Sequence, residues 1–137
     1  MIEVWIDGLC EPVVPKYART ACLGYIIRKN GETIDKGYEL IGRGKEMTNN
    51  VAEYTALIRA LERIRDLELR NEEIIIRSDS KLVVNQMREE WKIKKQHLKP
   101  LFDKAKILSI GLDIVFQWVP REENEEADNL ARLAISG

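Results

Sequence analysis

Four carboxylates occupy positions that folding alone does not explain. Asp79 follows Ile74, Ile75 and Ile76 in IIIRSDSKLV, so a strand apolar enough to be covered on both faces ends on an acid. Asp7 closes the strand-like IEVWID and is followed by Gly8, which lets a backbone turn sharply or approach a ligand closely. Glu53 heads the helical stripe of Leu57, Ala60, Leu61 and Ile64, and Asp128 sits beside the stripe of Ala127, Leu130, Ala131 and Ala134. Taken singly, each has an ordinary explanation. Asp79 fits a helix cap, Asp7 a strand-to-turn residue, Glu53 a capping box with Asn50, and Asp128 a solvated flank charge. Taken together they need four separate coincidences, all at points that can meet at one end of a sheet.

Carboxylates brought together raise one another's pKa, and burial disfavours their charged form, so a cation must answer them. His97 is the only histidine, and Cys10 and Cys22 form no cluster, so a borderline metal lacks its usual ligands. All-oxygen ligation suits Mg2+ or Mn2+. Two such ions about 3.5 to 4 Å apart, bridged by one carboxylate, clamp the attacking and leaving oxygens of an in-line phosphoryl displacement.

The elements that must carry these residues follow from periodicity. Strands are predicted over 2–7, 22–29 and 32–40, the last two joined at Asn30-Gly31, a dipeptide suited to a tight hairpin. Helical spacing predicts a helix over 50–66, and the isoleucine run predicts a central strand. A second helix is expected from Ser80 to about Trp91 and a third over 96–108. Leu112, Ile114, Phe116 and Trp118 alternate as a last strand before a helix over 124–135. The order βββαβααβα implies an α/β fold with a mixed sheet, antiparallel first and parallel later, and helices on its faces. Open sheets of this kind place ligand sites at the strand ends where Asp79 lies.

A chain of 137 residues fits one domain, and a net charge of -1 argues against both a histone-like nucleic-acid binder and an acidic tail. The charge is unevenly spread: eight basic residues face three acidic ones between Lys81 and Lys106. Within EEWKIKKQHLK, Lys94 and Lys95 suit a phosphate-tracking surface and Trp91 a stacking platform, with solvated lysines and a core tryptophan as the alternative. No apolar run approaches the roughly 18 residues of a membrane span, and the chain opens directly in a strand, so a soluble intracellular protein is expected. Both cysteines are expected as small buried hydrophobes.

WIDGLCEP, TNNVAEYTAL, IIIRSDSKLV and WVPREENEEADNLAR, in that order and each carrying its acid, resemble the type 1 ribonuclease H family, specifically its short archaeal and bacterial members. The resemblance implies a ribonuclease H-like fold with sheet order 3-2-1-4-5. It also implies two-metal, Mg2+- or Mn2+-dependent cleavage of the RNA strand of an RNA/DNA hybrid, leaving 5′-phosphate and 3′-hydroxyl ends. By the same resemblance Asp7 would bridge both ions, Glu53 and Asp79 would complete the leaving-group side, and Asp128 would help hold the ion that presents the water. The Gly8 to Glu11 loop, with Gly8, Cys10 and Glu11, and the Asn49-Asn50 pair resemble readers of ribose 2′-hydroxyls in the minor groove. Thr48 resembles a phosphate contact, with helix capping the alternative, and Lys81 stands where relatives carry another polar, base-contacting residue. Many members have a histidine in the loop before the last helix. This chain has PREEN there, with Arg121 and Glu122 as the candidate substitutes, and Arg121 is the expected one because a cation beside the scissile phosphate stabilises developing charge. A cytoplasmic monomer is expected. A nuclease for double-stranded RNA, a non-catalytic nucleic-acid-binding module of the same fold, and an unrelated α/β domain whose acids are caps and surface charges are the other readings.

Overall fold

The computed structural model describes residues 1–136. Five strands form one sheet: β1 (Ile2–Glu11), β2 (Thr20–Lys29), β3 (Glu32–Arg43), β4 (Glu73–Ser78) and β5 (Asp113–Trp118), in the order β3-β2-β1-β4-β5. The first three are antiparallel, while β4 runs parallel to β1 and β5 parallel to β4. The helices are α1 (Asn49–Asp66), α2 (Lys81–Met87), α3 (Lys99–Leu108) and α4 (Glu125–Ser136). Among the described residues, no helix is long and apolar enough to cross a membrane.

Alternation along β1 divides the molecule. Ile2, Val4 and Ile6 face α1 and join Leu57, Leu61 and Ile64 in the main core, while Leu9 packs with Cys22 against Ala131 of α4. Two glycines set how closely the helices approach. A Cβ on Gly8 would lie 2.2 Å from the Ala52 carbonyl carbon, and one on Gly24 would lie 2.4 Å from the Ala127 oxygen. Gly24 is paired with Asp7 across the ladder. The two helix backbones therefore press on the sheet beside Asp7, α1 from one face and α4 from the other.

Several boundaries differ from the sequence expectation. Gly8, Cys10 and Glu11 belong to β1 and pair with Leu23, Ala21 and Thr20; they form no loop, and Gly8 serves close packing of α1 in place of a turn. Helix α2 stops at Met87, well short of Trp91, because Glu89 takes φ 62° and the Glu90 and Trp91 amides both turn back to the Asn85 carbonyl. Strand β4 is not covered on both faces. Ile74 and Ile76 are buried, but Ile75 is half-buried, since α4 packs over β1, β2 and β3. On that open face Arg28 and Arg77 sandwich the Trp5 ring at 5.0 and 4.9 Å, and Arg77 pairs with Glu3 at 2.6 Å. Both cysteines are buried as expected, on opposite faces of the sheet.

Candidate active site

Glu53 reaches the site because its helix begins earlier than its own carboxylate could cap. The N-cap of α1 is Thr48, whose hydroxyl accepts the Val51 amide at 3.1 Å, so no capping box with Asn50 forms. The Glu53 carboxylate accepts the Gly8 amide instead, and the residue is 7% exposed. Asp79 is likewise spared from capping: Ser80 caps α2 by accepting the Val83 amide at 3.2 Å. Ser78 Oγ accepts the Ser80 amide at 3.0 Å, and Trp118 Nε1 donates to the Asp79 carbonyl at 3.1 Å, so the Asp79 carboxylate is not used in capping and joins Asp7 and Glu53.

One carboxylate oxygen each from Asp7, Glu53 and Asp79 lie within 4.8 Å of one another. Burial, then the charges of Asp79 and Asp128, push the Asp7 carboxyl up from 3.8 to about 8. Glu53 is raised well above its usual range, chiefly by burial and then by the charges of Asp7 and Asp79. Asp79 is raised by burial, while a hydrogen bond from Asn124 and the charge of Arg121 pull it back. Asp128 lies outside this tight trio but borders the same cleft. Its Oδ2 accepts from Arg132 Nε at 3.1 Å, and Arg132 also reaches Glu11 at 3.3 Å. An all-oxygen, buried donor set with raised pKa values fits a hard divalent cation.

This chain is similar to LC11-RNase H1, whose crystal structure is in complex with an RNA/DNA hybrid: 35% identity, TM-score 0.88, covering 99% of this chain and 97% of that one. It is 34% identical to ribonuclease H of Ruegeria pomeroyi, over 82% of this chain and 80% of that protein. It is 42% identical to the bifunctional protein Rv2228c of Mycobacterium tuberculosis, over 71% of this chain and 26% of that protein. The reverse transcriptase-like family model matches residues 12–134. The chain belongs to the type 1 ribonuclease H family. It spans between about a quarter and just over half the length of the first curated relatives it matches, 26% to 56%.

Within that family frame, the cleft around the acids has a volume of about 580 Å3 and takes in Gly8, Cys10, Glu11, Asn49, Asn50 and Arg121 of the predicted site. The Cys10 thiol is buried against Ala21 and Ala52, and the Cys10 amide donates to Asn49 Oδ1 at 3.0 Å. Cys10 thus borders the cleft as a buried residue whose amide is held by Asn49. Thr48 lines an adjoining hollow with Cys10, Val13, Arg19 and Asn49. Lys81 lies outside the cleft lining but holds its ammonium 4.8 Å from the centre of the Trp118 ring, which is part of that lining. Trp91, Lys94 and Lys95 line a separate, largely apolar cleft with Leu82 and Leu98, and Trp91 is 50% exposed, so it is not a core residue.

Three contributors escaped the sequence reading. Asn124 is buried, donates from Nδ2 to the Ile6 carbonyl at 2.8 Å, hydrogen-bonds Asp79, and accepts the Asp128 amide at its own carbonyl. It therefore ties together the segments carrying Asp7, Asp79 and Asp128. An asparagine just before an acidic first helical turn is a recognisable cap signal and was the one clue available. Arg132 and Trp118 gave none beyond their places in the helical and strand patterns.

Proposed function

We propose that this chain is a metal-dependent endonuclease that hydrolyses the RNA strand of RNA/DNA hybrids, leaving 5′-phosphate and 3′-hydroxyl ends. The observation that carries the reading is the convergence of Asp7, Glu53 and Asp79 from three separate elements, in a member of a family that includes a hybrid-bound relative. Asp7 would hold both ions, Glu53 and Asp79 would hold the one on the leaving-group side, and Asp128 would contribute to the other. Mg2+ or Mn2+ there would activate water and neutralise charge on the attacking and leaving oxygens. Arg132 keeps Asp128 turned toward the cleft, and Arg121, whose charge already acts on Asp79, supports the developing negative charge of the phosphate.

The β1 backbone from Gly8 to Glu11 and the Thr48 to Asn50 segment would meet the minor groove, where the 2′-hydroxyl separates RNA from DNA. Lys81 with Trp118, and Trp91 with Lys94 and Lys95, would follow the backbone further along the duplex. We take the protein to act as a cytoplasmic monomer. The complete set of four acids argues against a non-catalytic module.

The deciding experiment incubates labelled RNA/DNA, RNA/RNA and DNA/DNA duplexes with the protein, with and without Mg2+ or Mn2+. Only the RNA strand of the hybrid should be cut, only with metal, and Asp7→Asn should abolish cutting. Efficient cleavage of RNA/RNA would replace the substrate assignment, and hybrid binding without cleavage would replace the enzyme by a binding module.

A further inference from the structure

The segment PVVPKYAR between β1 and β2 exposes Val13, Val14 and Tyr17 at 61%, 72% and 82%, and its regular structure amounts to a single 3-10 turn over Lys16–Ala18. Arg19, the last residue of the segment, holds this loop in place. Its Nε donates to the Val13 carbonyl at 3.0 Å, while its Nη1 donates to the carbonyls of Met47 at 3.3 Å and Lys45 at 3.4 Å. Its own carbonyl accepts the Gly44 amide at 2.9 Å. A guanidinium presents several donors in a fixed plane and can bridge three carbonyls on two loops, which a lysine ammonium on a flexible stem cannot do in the same geometry.

Both tied loops border the candidate site. Val13 lines the acidic cleft itself. Met47 leads directly into Thr48, the cap of α1, and Asn49, whose side chain holds the Cys10 amide. Cys10, Val13, Arg19, Thr48 and Asn49 enclose one small hollow of about 120 Å3.

We infer that Arg19 is a positioning residue: it locks the β1–β2 loop and the loop between β3 and α1 into one wall of the cleft, and that wall sets how tightly the duplex is held. The role in substrate binding rests on the ribonuclease reading above. The acids take their positions from β1, α1, β4 and α4, so the wall governs affinity and leaves the chemical step alone.

Arg19→Lys and Arg19→Ala test this against the wild type. Hybrid cleavage at saturating Mg2+ should show KM raised about tenfold in both variants, the scale of losing a hydrogen-bonded charged group, with kcat unchanged. Mn2+ affinity by calorimetry should stay at the wild-type value. Amide hydrogen exchange should quicken together over residues 12–18 and 44–48. A fall in kcat with KM constant, a parallel loss of Mn2+ affinity, or faster exchange in only one of the two loops would overturn the inference. The lysine variant carries the test if the alanine variant fails to fold. If the wild type cuts no hybrid at all, the ribonuclease reading fails, and the exchange data still decide whether Arg19 couples the loops.

Discussion

Replacing Asp7 by asparagine should stabilise the metal-free protein while destroying its activity. The Asp7 carboxyl is lifted from 3.8 to about 8 by burial and by the neighbouring acids. The folded state thus binds a proton more tightly than the unfolded state, and stability declines as pH rises from near 4 to near 8. At about 1.36 kcal/mol per pKa unit, the cost at pH 8 is on the order of 5 kcal/mol. Part of that repulsion is shared with Asp79 and Asp128, and the site relaxes when charged, so about 2 to 3 kcal/mol is expected to be recovered by the neutral amide. For a chain of this size that corresponds to a gain of roughly 5 to 10 °C in Tm. Thermal unfolding in EDTA should show this gain at pH 8 and little of it at pH 5, where the wild-type carboxyl is already protonated. Adding Mg2+ should raise the wild-type Tm and leave the variant unmoved, because an ion that binds only the folded state stabilises by mass action. An Asp7→Asn protein that is no more stable than wild type at pH 8, or equally stabilised at pH 5, would refute the idea that mutual repulsion loads this site.

Metal binding should release protons below pH 8, because ligand carboxyls must ionise; calorimetry in buffers of different ionisation enthalpy should show Mg2+ affinity rising with pH from 6 to 8. Gly24→Ala should cost about 2 kcal/mol or more by chemical denaturation, since its Cβ would meet the Ala127 oxygen at 2.4 Å and the Ala131 nitrogen at 2.7 Å. The same change should cut turnover by shifting Asp128 relative to Asp7. Arg121→Ala should lower kcat roughly tenfold at saturating metal; unchanged turnover would remove Arg121 from the mechanism.

How much of this was legible in the sequence depends on how local each signal is. The hairpin at Asn30-Gly31 is there, with φ 51° and 84°, because only such residues take that turn readily. The helices and strands themselves follow from hydrophobic period, whereas the sheet order came only with the family resemblance. The far end of β1 was missed because Gly8 and Cys10 do not advertise a strand, and the end of α2 because a left-handed glutamate closed it where glycine is the usual mark. The acids themselves stood out as polar intrusions at strand ends and helix stripes, and the ordinary alternatives weighed for Asp79 and for Asn50 with Glu53 fall away because Ser80 and Thr48 do the capping, the alternative role expected for Thr48. Asn124 reaches the Ile6 carbonyl 118 residues away, and Arg132 adds a contact to Glu11 121 residues away to its local i,i+4 pair with Asp128; no local pattern encodes the two distant contacts.

The distribution of positive charge distinguishes a metal site from a structural ion-pair cluster. Among the described residues, no lysine or arginine makes an ion pair with Asp7, Glu53 or Asp79, although the surface carries many such pairs, including Arg59 with Glu39 and Arg63 with Asp35. A chain selected only for stability would place a guanidinium among three buried carboxylates or replace them with apolar residues. Here the cations stop at the rim: Arg132 is engaged with Asp128 and Glu11, and Arg121 acts on Asp79 through its field. The Gly8 amide and Asn124 give the trio oriented dipoles that hold its shape but leave its charge unanswered. That residual charge, fixed in place by α1 and α4 pressing on Gly8 and Gly24, is what would draw a divalent ion to the cluster. A variant carrying a cation in the cleft, such as Asn50→Arg one turn before Glu53, would be expected to lose Mn2+ binding in calorimetry even where its Tm held; retained binding would show that the ions are drawn elsewhere.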